Sequence, residues 1–155
     1  IRITTQLDPT QVARRLSTSR LLTLASPEYL ARQGRPRVPD DLLIHQCLGY
    51  TAGPSSQRWS FLVDGRLESF AIRPRLLANN GDVLAEAAAQ GMGITVQPDF
   101  IAADYLAAGR LETLLDAFAP PPLGIYAVLP SNRYMPHAVR LLIEFLSERL
   151  GAGEG

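Results

Sequence analysis

The stretch LLANNGDVLAEAAAQGMGITVQPDF, residues 76–100, decides how this chain is read. It begins apolar, passes through Asn79-Asn80-Gly81-Asp82, runs alanine-rich to Gly91 and then climbs into a second apolar segment. The pattern predicts strand, turn, helix, turn, strand. Asn79 or Asn80 suits the N-cap, because a short side-chain oxygen can accept from the free amides of a first helical turn. Asp82 suits that turn through the helix dipole. Leu84, Ala87 and Ala88 share one helical face, and Gly91 is placed to stop the helix. Where a strand feeds a helix in this way, free backbone amides and the positive helix end can hold a carboxylate or phosphate. Asn79, Asn80 and Gly81 are therefore candidate ligand contacts. A plain capping turn accounts for them equally well, and the Asp82 carboxylate competes for the same amides.

Working outward, RLLTLAS (20–26) reads as a strand, followed by a helix with Ser26 as N-cap, Pro27 at its first position and Gly34 as its stop. PDDLLIH (39–45) is a short helical segment before a strand at Cys47–Tyr50. RWSFLV and RLESFAI flank Asp64-Gly65, a pair suited to the positive φ angles of a tight hairpin. RLLAN (75–79) is a strand, residues 98–109 a second helix ending at Gly109, and RLETLL (110–115) and PPPLGIYAVLP (120–130) further strand regions. Residues 136–150 form an amphipathic helix, with Val139, Leu142, Ile143, Leu146 and Leu150 at helical spacing. Strands alternating with short helices predict an α/β fold, with a largely parallel sheet and one hairpin.

Composition narrows the functions. Acidic and basic residues balance at 15 each among 155, so no basic field attracts nucleic acid to the chain as a whole. The single cysteine, Cys47, has apolar neighbours and reads as a buried thiol. No apolar run reaches membrane-spanning length and no signal peptide opens the sequence, which points to a reducing, cytoplasmic setting. Nucleophile-elbow, zinc-protease, P-loop and paired-cysteine signatures are all absent, so no catalytic residue, metal site or cofactor is expected. His45 reads as a satisfied, partly buried histidine and His137 as a surface residue; Asp40-Asp41 reads as a helix cap. Gly91-Met92-Gly93 follows a helix instead of preceding one, the wrong place for a dinucleotide loop. The chain opens at Ile1 within IRIT, an alternating run, and is expected to be a piece of a longer protein cut inside a domain.

Five segments together resemble one family: IRITTQLDPTQVARRL, LLTLASPEYLARQGRPRVPDDL, HQCLGY, ANNGDVLAEAAAQGMGITVQPDFIAADYLAAGRL and YAVLPSNRYMPHAVRLLIEFL. Their order, and the pairing of ASPEYLARQGRP with ANNG…AAxGxGI…PDF, resembles the effector-binding domain of LysR-type transcriptional regulators. The resemblance implies a type 2 periplasmic-binding-protein-like fold of two α/β subdomains with a ligand cleft. Residues 1–20 and 127–150 would form part of the first subdomain, 21–126 the second, and 151–155 a flexible tail. A winged helix-turn-helix, a linker helix and further first-subdomain elements, usual in the family, are not in this sequence.

By the same resemblance, effector contacts fall on Thr4 and Thr5 after the first strand, on Asn79, Asn80 and Gly81, and on Gln97-Pro98 at the end of a strand facing the same crevice. Thr4 and Thr5 also suit ordinary strand positions, Gln97 a solvated strand end, and Ser26 a helix cap. The implied partners are a small, carboxylate-bearing effector, further copies of the chain as dimer or tetramer in the full-length protein, and DNA only through the N-terminal domain; no membrane is involved. A stand-alone solute-binding protein of the same fold is the alternative reading. With first-subdomain elements absent, Val139, Leu142 and Leu146 are expected to lose cover and promote self-association.

Overall fold

In chain order, the computed structural model has strands β1 (Arg2–Thr4), β2 (Val12–Ser19) and β3 (Leu21–Ala25), then helix α1 (Pro27–Gln33) and a 3-10 turn at Pro39–Ile44. Strands β4 (Cys47–Tyr50), β5 (Arg58–Val63), β6 (Arg66–Ala71) and β7 (Pro74–Ala78) lead to α2 (Gly81–Ala89). The chain continues through β8 (Ile94–Pro98), α3 (Asp99–Ala107), β9 (Glu112–Leu114), a 3-10 turn at Asp116–Phe118, β10 (Leu123–Leu129) and α4 (His137–Gly151). The structure describes residues 1–4, 6–51, 56–129 and 135–151. Residues 152–155 of the expected tail lie outside that set, whereas Gly151 closes α4.

The chain forms two compact units, Ile1–Arg20 with Pro122–Gly155, and Leu21–Pro121. In the first, β10 lies between β1 and β2, antiparallel to both, and α4 packs on β2. Strand β2 is an element the sequence pattern did not reveal. A bulge opposite Ile125/Tyr126 offsets its pairing, so Arg15 faces Tyr126 and Ser17 faces Ile125, with Leu16 as the extra residue. Leu16 and Ser17 are consequently both buried, and two exposed arginines precede them, which defeats a period-two signal. The core of this unit is Leu16, Ala127 and Ile143, joined by Val139 and Leu146. Leu142 does not join them. It is 55% exposed, and Leu150 also faces outward at 36%, because the buried stripe centres on Ile143.

The second unit carries a five-stranded sheet in the order β7-β4-β8-β3-β9. Strand β4 is parallel to β7 and β8, but β3 is antiparallel to β8 and β9, so the sheet is mixed and not largely parallel. Successive residues of a strand point to opposite faces. Ala25 and Cys47 thus enter one core with Tyr29, Trp59, Phe61 and Ile94, covered by α1 and the β5–β6 hairpin. Leu24 and Leu48 enter the other, with Leu84, Ala88 and Ala102 from α2 and α3. The hairpin turns as its sequence predicts, with φ of 50° at Asp64 and 78° at Gly65. Ser26 caps α1 by accepting from the Tyr29 amide, 3.1 Å away.

Candidate functional site

Strands β4, β7 and β8 run parallel and end together at Tyr50, Ala78 and Pro98, where α2 and α3 begin. That is the end at which open α/β sheets present ligand-binding groups. Asn80 is the N-cap of α2: its Oδ1 accepts from the amides of Asp82 at 2.8 Å and Val83 at 3.3 Å. Two of the donors that could grip an anion are therefore already engaged by the chain's own Asn80 side chain. Asn79 precedes the cap with an exposed side chain, and Asp82 stands exposed in the first turn.

Gly81 is glycine because nothing larger fits. A Cβ there would lie 2.5 Å from Tyr50 Oη, 2.7 Å from Gln97 Oε1 and 2.7 Å from Ile101 Cδ1. Tyr50 donates to Gln97 Oε1 at 2.8 Å. Gln97 Nε2 donates to Thr95 Oγ1 at 2.9 Å, and Thr95 in turn donates to the Leu48 carbonyl at 3.1 Å. Gln97, fully buried, is thus no solvated strand end, and its side-chain oxygen accepts from the half-buried Tyr50. Burial, opposed by the Gln97 hydrogen bond and reinforced by the Asp82 charge, raises the Tyr50 pKa, so its hydroxyl keeps its proton. Pro98 is half-buried and opens α3.

Asn79, Asn80, Gly81, Gln97 and Pro98 therefore meet at one end of the second unit. Tyr50 completes the group and was missed from the sequence, where only its place as the last residue of a parallel strand marked it. Thr4 belongs to the first unit; its hydroxyl donates to the Gln6 carbonyl at 2.8 Å and accepts from the Gln6 amide at 3.1 Å. Thr5 lies outside the described residues. Ser26 follows β3, which runs antiparallel to β8, and so lies at the other end of the sheet. A hollow of about 650 Å3 runs along α3 between Asp82, Phe100 and Arg110. It is an open surface trough whose guanidinium is tied to Glu86 at 2.6 Å, and it holds none of the polar groups just described except Asp82.

Burial pushes the Cys47 thiol up to about 12. His45 sits in a hydrogen bond to Tyr29, and Asp41 accepts from the amides of Arg37 and Val38. Among the described residues, no group of three or more His, Cys, Asp or Glu could hold a metal ion. No helix among them is long and apolar enough to cross a membrane.

Two α/β units, one presenting a polar cluster at the carboxyl ends of parallel strands, define a type 2 periplasmic-binding-protein-like fold. Within that class, the chain belongs to the LysR substrate binding domain family, whose profile matches residues 1–151. It is 39% identical over 141 residues to the HTH-type transcriptional regulator PtxR of Pseudomonas aeruginosa, covering 90% of this chain and 45% of PtxR. It is 35% identical over 140 residues to the HTH-type transcriptional regulator CrgA of Neisseria meningitidis, covering 90% of this chain and 46% of CrgA. The CrgA regulatory domain, described as that of a LysR-type transcriptional regulator, superposes with a TM-score of 0.82 at 34% identity, over 96% of this chain and 74% of that one. The chain thus spans about half the length of the curated relatives it matches.

Proposed function

We propose that this effector-binding domain serves a cytoplasmic bacterial transcription regulator, has no catalytic activity of its own, and senses a small carboxylate-bearing metabolite. The observation that carries the reading is the cluster of Tyr50, Asn80, Gly81 and Gln97 within a chain matched along 1–151 to the LysR substrate binding domain. Unit 1 corresponds to part of the first subdomain and unit 2 to the second. Effector contacts fall on Asn79, Asn80, Gly81, Gln97 and Pro98 of unit 2 and on Thr4 and Thr5 of unit 1. The acid's oxygens compete with Asn80 Oδ1 for the Asp82 and Val83 amides, where the helix dipole favours negative charge. DNA binding belongs to a winged helix-turn-helix of the full-length regulator, which works as a dimer or tetramer.

An effector that binds two arrangements of the regulator equally well shifts neither, so the acid must prefer one. The test is a thermal-shift screen of small carboxylic acids against the chain, followed by DNA footprinting of the full-length regulator with each stabilising acid. The reading expects at least one acid to raise the melting temperature and alter the footprint. Stabilisation by neutral analogues but by no acid would remove the carboxylate; stabilising acids that leave the footprint unchanged would remove the sensing role.

A further inference from the structure

At the opposite end of the same sheet, where β4 and β7 begin, lies a hollow of about 470 Å3 lined by Leu43, Ile44, His45, Gln46, Arg73 and Arg75. It lies about 10 Å along β4 from Tyr50. No carboxylate lines it. Among the described residues, Arg73 has neither hydrogen-bond nor ion-pair partner for its guanidinium. Arg75 is the extra residue of a bulge, since Cys47 pairs with Pro74 and Leu48 with Leu76. Bulges re-aim side chains, and here the Arg75 guanidinium is held by Gln46 Oε1 and by the Met92 carbonyl at 3.5 Å.

The other lining groups are set as donors. Gln46 turns its amide oxygen to Arg75, which leaves its NH2 to donate. The Tyr29 hydroxyl accepts from the Gln46 amide at 3.1 Å and lies 2.8 Å from His45 Nδ1. In the tautomer in which the Tyr29 hydroxyl donates to Nδ1, the neutral imidazole carries its own proton on Nε2, where it too is a donor. Burial favours the neutral form of each ring, raising the Tyr29 pKa and lowering that of His45, the latter against the pull of Asp41. Asp41 itself is occupied by the amides of Arg37 and Val38.

We propose that this hollow is a second ligand site, taking a tetrahedral oxyanion of the phosphate class on Arg73 and Arg75. One planar fork held in place and one without a partner suit an anion with several acceptor oxygens. The donors of Gln46 and His45 complete its shell, and no protein carboxylate stands in the place of the ligand. Leu43 and Ile44, both exposed at the rim, give an ester's organic part something to rest on.

The experiment is amide-resolved NMR of the 155-residue chain titrated with inorganic phosphate and with phenyl phosphate at constant ionic strength. The site predicts saturable shifts at residues 43–46 and 73–76, at least tenfold weaker in Arg73→Gln and in Arg75→Gln and unchanged in Arg14→Gln. Tighter binding of phenyl phosphate would assign the site to a phosphate ester, and equal binding to the free anion. Absence of saturation with both probes, or titrations of Arg73→Gln that match the unsubstituted chain, would overturn the proposal.

Discussion

Unit 2 closes a core on each face of its sheet, with Leu24, Leu48, Leu84, Cys47 and Ile94 all fully buried. Among the described residues, unit 1 buries Leu16, Ala127 and Ile143 with partly buried neighbours such as Val139 and Leu146, and its helix turns Leu141, Leu142 and Phe145 outward. Both carry a sheet and at least one amphipathic helix, and among the described residues the difference lies in how many layers cover each sheet. A sheet packed on both faces fixes its strand ends, and that fixity lets Gly81, Tyr50 and Gln97 approach without a side chain at Gly81. The polar cluster of Tyr50, Gly81 and Gln97 thus stands on the unit whose sheet is packed on both faces.

Core truncation separates the two most widely. Leu84→Ala should cost about 2–5 kcal/mol of unfolding free energy in urea titrations, since the site is enclosed on all sides. Ile143→Ala, in the smaller cluster, should fall near the lower end of that range, and Leu142→Ala on the same helix should change stability by less than about 0.5 kcal/mol. Equal costs for Leu142 and Ile143 would mean that α4 presents its other face to the sheet.

Next comes Gly81→Val, which forces Tyr50 and Gln97 apart. It should cost about 1–3 kcal/mol and abolish calorimetrically measured binding of any acid found by the thermal-shift screen. Asn80→Ala removes the cap and should cost about 1 kcal/mol, whereas Asn79→Ala should stay within about 0.5 kcal/mol. If Asn79 proved the costlier of the two, the cap would be wrongly assigned. The smallest effect concerns acid. Hydrogen bonds from Arg110, Gln90 and Tyr105 hold the Glu86 carboxyl at about 2, below its usual 4.5. Its stabilisation is therefore complete above pH 4.5 and is lost as pH falls toward 2. Urea midpoints at pH 7 and pH 3 should fall less in Glu86→Gln than in the unsubstituted chain.

Local chemistry made much of the fold readable before any coordinates. The Asp64-Gly65 turn, the Ser26-Pro27 start and the Asn80 cap each depend on a few adjacent residues. What escaped the reading depends on distant ones. The antiparallel course of β3 is decided by its pairing with β8 and β9, more than seventy residues away, and no local pattern encodes it. β2 was hidden by its bulge, and the outward turn of Leu142 follows from which helical face meets β2. At the site, the NNG segment could be read as a helix start, but not the reason for its glycine. That reason is Tyr50, thirty-one positions earlier, and Gln97, sixteen later.

The most direct test of the central claim is hydrogen exchange at the Asp82 and Val83 amides, with and without the acid that most stabilises the chain. If the effector binds at the carboxyl ends of β4, β7 and β8, protection should rise at these two amides and at Thr51, whose amide bonds the Ala78 carbonyl at 3.0 Å. Unchanged exchange at all three, with protection appearing elsewhere, would contradict it and move the effector away from Asn80 and Gly81.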